Sequence, residues 1–187
     1  MKNNPKSARF FVALLPTQEI CDYANEVKQY FSDRYDSRAA QKSPPHVTLQ
    51  PPFDWQLSEI SHLQSVLTQF ARQQSSFNVE LTGFGAFPPR VIYINVQRTP
   101  ALMALQANLS DYLEQRLALV NERLKSRPFN PHLTIAFRDL KPTAFQQAWS
   151  EFEHKSVSFA FEAQQVTLLI HDNQGWKVHS QFQLSQT

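Results

Sequence analysis

His46 and His132 stand in two copies of one short pattern, PHVTL at 45–49 and PHLTI at 131–135. A strand points alternate side chains to opposite faces. His46 and Thr48 therefore share one face, opposite Val47 and Leu49. His132 and Thr134 share another, opposite Leu133 and Ile135. Each segment would bury an apolar face and present an imidazole beside a hydroxyl. Imidazole titrates near neutral pH, so two rings can act in one turnover as general base and general acid. Two threonine hydroxyls can donate to the non-bridging oxygens of a phosphate while charge develops on them. The set suits metal-free transfer at a phosphodiester. A zinc site is the rival reading, but no carboxylate lies at ligand spacing from either histidine, and threonine is a poor zinc ligand. A Ser-His-Asp triad would need a nucleophile elbow and would leave the second copy unexplained.

Other residues are weaker candidates. Arg138 lies six places after His132 and shares its face by parity if the strand stays regular; there it would hold a phosphate or contact a nucleotide. Tyr93 sits mid-strand between Ile92 and Ile94, placed either to stack on a base or to fill core. Lys42, four places before His46, reads as a solvated charge. So does the run Arg123, Lys125 and Arg127, which would otherwise approach an RNA backbone. Phe53, Trp55 and Phe137 read as core. His62, His154, His171 and His179 read as surface or turn residues, and Cys21 as an ordinary thiol.

These side chains need a scaffold. The chain has 187 residues, enough for one large domain or two joined lobes. Its 42% hydrophobic content, with 15 Phe, excludes a disordered chain. A net charge of +2 permits an anionic ligand without demanding a nucleic-acid coat. One cysteine excludes an internal disulfide and a Cys-based zinc site, which fits the cytoplasm. Three glycines exclude the glycine-rich phosphate loops. The apolar run 10–15 is too short to span a membrane.

Periodicity places a strand at ARFFVALLP, a helix over 17–31, the first His strand, and a helix over 58–72. FNVELTGFGAF and VIYINV follow as strands. A helix from Pro100 to about Leu119 opens the second half. The second His strand and a helix over 142–152 come next. VSFAFEAQQVTLLIHD gives one bent strand or two, and WKVHSQFQL closes the chain. The order suggests a diverged internal duplication of α+β units that brings the two His strands face to face.

HVTL at 46–49 and HLTI at 132–135 resemble the paired motifs of the 2H phosphoesterase superfamily, the 2′-5′ RNA ligase or LigT-like proteins. RFFVALLP, PPHVTLQPPF and FNPHLTIAF agree with that likeness, which covers most of the chain. The resemblance implies an α+β bilobal fold, two pseudo-twofold lobes of antiparallel sheet with outer helices around a V-shaped groove, here as one domain over 1–187. It implies metal-independent opening of a 2′,3′-cyclic phosphate to a 2′-phosphate. His46 and His132 would be the acid–base pair, Thr48 and Thr134 the phosphate donors, and Arg138 and Tyr93 substrate contacts. No cofactor, membrane or obligate protein partner is expected. The substrate would be an RNA end or a small cyclic nucleotide, and the protein a cytoplasmic monomer. Joining or cleaving 2′-5′ linkages on the same fold is an alternative, as is a nucleotide- or RNA-binding module without turnover.

Overall fold

A computed structural model describes residues 6–120 and 128–186. Its fold is α+β: eight antiparallel strands form one curled sheet, with helices packed on one face. The strands are β1 (Ser7–Leu14), β2 (Val47–Gln56), β3 (Phe77–Phe87), β4 (Val91–Val96), β5 (His132–Ala136), β6 (Ser158–Ala163), β7 (Gln165–His171) and β8 (Trp176–Gln183). The helices are α1 (Gln18–Tyr35), α2 (Ile60–Ala71), α3 (Pro100–Leu117) and α4 (Pro142–Phe152). Among the described residues no helix is long and apolar enough to cross a membrane.

Strand alternation builds two layers. Phe10, Val12 and Leu14 of β1 join the main core beneath the helices. Phe11 and Ala13 point the other way, into a small cluster with Leu169 and Trp176. The sheet therefore has a helix-covered face and a second, partly open face.

Helix ends follow local chemistry. The Thr99 hydroxyl accepts from Leu102 N–H at 3.3 Å, and Pro100 sits in the first turn of α3, where its missing donor costs nothing. Helix α1 runs past the expected Phe31 to Tyr35, because Tyr35 packs against the core and its hydroxyl donates to Glu151 of α4 at 2.7 Å. Ser58 and Glu59, expected to open a helix, belong instead to a 3-10 turn over Leu57–Glu59 before α2.

Strand order is β6-β3-β4-β5-β2-β1-β7-β8, so the sheet divides between the two His strands. Its halves are not the sequence halves. β3 and β4 sit with β5 and β6, whereas β7 and β8 return to β1. The repeating unit of strand, helix, His strand, helix thus begins at β1 and again at β4, one strand before the expected Pro100. The helices are exchanged as well: α1 packs on β5, and α3 packs on β2.

A single rung, Val47 opposite Leu133, joins the halves among the described residues. Prolines explain why the seam stops there. Extending the register by two residues either way gives Pro45 opposite Ile135 and Leu49 opposite Pro131. Each of those rungs contains a residue with no N–H to donate. Pro51 and Pro52 lie further along β2, where it pairs with β1 through an irregular register.

Candidate active site

His46 immediately precedes β2, and His132 opens β5, so both histidines flank the seam. One residue from the Val47–Leu133 rung, antiparallel geometry sets His46 opposite Thr134 and Thr48 opposite His132. The four side chains form a two-by-two block, each half-buried, with the imidazoles on one diagonal. Val47, Leu49, Leu133 and Ile135 anchor the block from behind, none more than 2% exposed.

The rings are oriented in the same way. His46 Nδ1 lies 2.7 Å from the Pro44 carbonyl oxygen, and His132 Nδ1 lies 2.7 Å from that of Asn130. A carbonyl only accepts, so Nδ1 carries the proton in each ring and Nε2 is left for other chemistry. The acceptor is in each case the residue before a proline, Pro45 or Pro131. Proline confines its predecessor to extended backbone, which fixes the direction of the accepting carbonyl. This is the local reason for the Pro-His pairs.

Aromatic rings pack around both imidazoles. Phe11 lies 4.7 Å from His46, centroid to centroid. Tyr93 lies 5.1 Å and Phe87 5.2 Å from His132. Burial pushes the His46 pKa down to about 4; the Pro44 bond opposes this, and the positive charges of Lys28 and His132 add to it. Burial also lowers His132, against its bond to Asn130.

Lys28 is a component that sequence reasoning missed. It is 2% exposed, and Nζ donates to the Ser43 carbonyl at 3.0 Å. Burial lowers its pKa to about 8. The signal was present in the i, i+4 spacing of Ile20, Ala24 and Lys28, which puts a lysine on the buried stripe of α1.

Gly85 was also missed. Its cross-strand partner is Tyr93. A Cβ on Gly85 would come within 2.7 Å of Tyr93 Cζ and closer still to Asn95 Oδ1. Glycine thus lets the Tyr93 ring and the Asn95 amide lie down on β3. Tyr93 pairs with Thr134 and Asn95 with His132, so both belong to the histidine face.

The remaining candidates are placed as follows. Tyr93 is 7% exposed and walls His132. Arg138 does not keep the face of His132 by parity, because β5 ends at Ala136 and Arg138 turns into the left-handed region with φ 59°. Its guanidinium lies 5.0 Å from the Phe137 ring. Lys42 is exposed and lines a surface pocket beside Pro44. Arg123, Lys125 and Arg127 lie outside the described residues. His62, His154, His171 and His179 are exposed. Cys21 is half-buried, and its thiol pKa is raised by burial. Among the described residues no group of three or more His, Cys, Asp or Glu side chains is placed to hold a metal ion.

The arrangement has close relatives in fold. E. coli LigT in its apo form superposes with a TM-score of 0.69 at 18% identity, covering 97% of this chain and 99% of LigT. LigT complexed with 3′-AMP gives 0.68 at 19% identity, covering 97% and 100%. Curated relatives carry the name "Putative phosphoesterase". One from Geobacillus sp. strain WCH70 is 29% identical over 177 residues, covering 93% of this chain and 95% of its own. Another, from Bacillus mycoides strain KBAB4, is 28% identical over 178 residues, covering 94% and 96%. The model of the 2′-5′ RNA ligase superfamily matches residues 16–175. That match spans the helices, both His strands and the seam between them, and the chain belongs to the 2′-5′ RNA ligase superfamily.

Proposed function

We propose that this phosphoesterase opens a 2′,3′-cyclic phosphate, on an RNA end or a nucleotide, to a 2′-phosphate. The carrying observation is the matched pair of Nδ1 bonds to Pro44 and Asn130, which leaves both Nε2 atoms on the face shared with Thr48 and Thr134. The structure of LigT with 3′-AMP supports a nucleotide ligand for this fold.

One imidazole takes a proton from water as its oxygen attacks phosphorus. The bond from phosphorus to the 3′ oxygen breaks, and the other imidazole protonates that oxygen. Thr48 and Thr134 donate to the non-bridging oxygens. Product carries a 2′-phosphate and a 3′-hydroxyl, and one proton has passed from water to the leaving oxygen.

We assign the base to His46 and the acid to His132. An anionic phosphate between the rings favours the imidazolium form of each. Burial holds His46 neutral and the positive charge of Lys28 adds to that, so His132 takes the proton. No step requires a metal. A single cysteine and a site assembled within one chain fit a monomer working in the cytoplasm.

The test is hydrolysis of nucleoside 2′,3′-cyclic phosphates in excess chelator, with His132→Ala beside the native protein. Turnover that survives chelation and collapses in the variant supports the reading. Binding without product leaves only a nucleotide-binding module, and activity restored by zinc moves the chemistry to a metallohydrolase.

A further inference from the structure

A surface pocket of about 350 Å³ opens beside the first histidine motif. That volume is at the low end of small-ligand sites, roughly 300–1,000 Å³. Its walls are the segment leading to His46, including Lys42 and Pro44, and the β7–β8 hairpin, including Gln174, Trp176 and Lys177.

Both walls are fixed. The Asp172 carboxylate accepts from the backbone N–H groups of Gln174 at 2.8 Å and Gly175 at 2.9 Å, and it pairs with Lys177. Gly175, at φ 147°, lies directly on the Lys42 carbonyl, where a Cβ would collide with backbone. Lys28 holds the opposite wall through the Ser43 carbonyl.

The pocket adjoins the histidine site through Pro44 and Trp176. Pro44 lines it and also accepts the His46 Nδ1 proton. Trp176 packs 4.5 Å from Phe11, and Phe11 packs 4.7 Å from His46. The lining chemistry suits a nucleotide. Lys42 is a cation with no ion-pair partner among the described residues, and it is placed to meet a phosphate. Side-chain carboxamides such as Gln174 offer both a donor and an acceptor, as a base edge requires and a phosphate does not.

We propose that this pocket receives the penultimate nucleotide of an RNA whose 3′ end carries the cyclic phosphate. The proposal rests on the cyclic-phosphate reading above. Such an end continues only in the 5′ direction, and the pocket shares a wall with the ring that would attend the terminal phosphate.

The experiment compares a nucleoside 2′,3′-cyclic phosphate with a trinucleotide ending in the same group, over a range of salt. The trinucleotide should be favoured in kcat/KM by on the order of tenfold, the scale of a few exposed polar contacts. Lys42→Ala should cut that preference roughly fivefold and reduce the salt slope for the trinucleotide by about 0.7. Gln174→Ala should cut the preference while leaving the salt slope in place. Equal efficiency on both substrates, untouched by Lys42→Ala, overturns the pocket and leaves the hydrolytic reading standing. If neither substrate turns over, the hydrolytic reading falls, and anisotropy decides the pocket separately. A 3′-phosphorylated trinucleotide that binds more tightly than a nucleoside 3′-phosphate, and loses that margin in Lys42→Ala, supports it; equal binding overturns it.

Discussion

Among the described residues Val47 and Leu133 make the one rung that closes the two halves of the sheet. Both are fully buried, and their neighbours are the four proposed catalytic side chains. A one-residue slip of either strand at this rung would turn that strand's imidazole and hydroxyl toward the core. The pairing therefore aligns the chemistry as well as joining the halves.

If the diagonal imidazoles act as a unit, His46→Ala and His132→Ala should each lower cyclic-phosphate hydrolysis by about 10²- to 10⁴-fold. The double variant should be little worse than the poorer single one, since both rings serve one transfer. Thr48→Ala and Thr134→Ala should cost less, because each removes one donor and spares proton transfer. A His132→Ala enzyme with near-native turnover would end the two-histidine mechanism.

Activity should trace a bell against pH. It falls at low pH as the base takes up a proton and at high pH as the acid loses one. Lys28 opposes the charged form of His46, so Lys28→Met should raise the pKa of the base and move the low-pH limb upward. The same change removes a buried cation whose one hydrogen bond among the described residues is to a carbonyl, and the apolar replacement should leave the melting temperature equal or higher. A limb that does not move would detach Lys28 from His46.

Gly85→Ala should be costly although glycine has no side chain to lose. Its methyl group must push aside the Tyr93 ring and the Asn95 amide. Overpacking of this kind destabilises by about 1–3 kcal/mol. Because Tyr93 packs against His132, kcat should fall more than the loss of folded protein explains. Calorimetry and turnover on the same sample separate the two effects.

Stability should fall with acid in two stages. His46 is held near pKa 4, below its usual 6.5, so the unfolded chain binds more protons between those values and stability falls as pH drops through them. Glu151 accepts from Tyr30, Tyr35 and Lys155, with Lys155 contributing most to a pKa of about 2. Its contribution is present above about pH 4.5 and lost as pH falls toward 2. Glu151→Gln should flatten the lower stage alone in denaturant melts across pH.

Much of this was legible in the sequence. Strand parity put His46 with Thr48 and His132 with Thr134, and the helix over 142–152 was read with both its ends. Local pattern carried those features. It could not carry strand order, because β3 also pairs with β6 and β7 with β1, each far away in sequence. For the same reason the halves were read as starting at Pro100, whereas the repeat begins at β4. Arg138 was placed by extending a strand that stops at Ala136. Lys28 was legible as a lysine on the buried stripe of α1, whereas Gly85 acts through what presses on it, and no window of sequence displays that.

The interleaving of the strands bears on the order in which the protein can be finished. β1 and β2 are made first, yet the other side of β1 is filled only by β7, with β8 beyond it. During synthesis the half that carries His46 keeps an unsatisfied backbone edge until residues 165–183 leave the ribosome. The half that carries His132 has all its strands by Ala163. The later-encoded histidine should therefore gain its complete framework first, and the nascent chain must shield the apolar side of β1 until its last strands arrive.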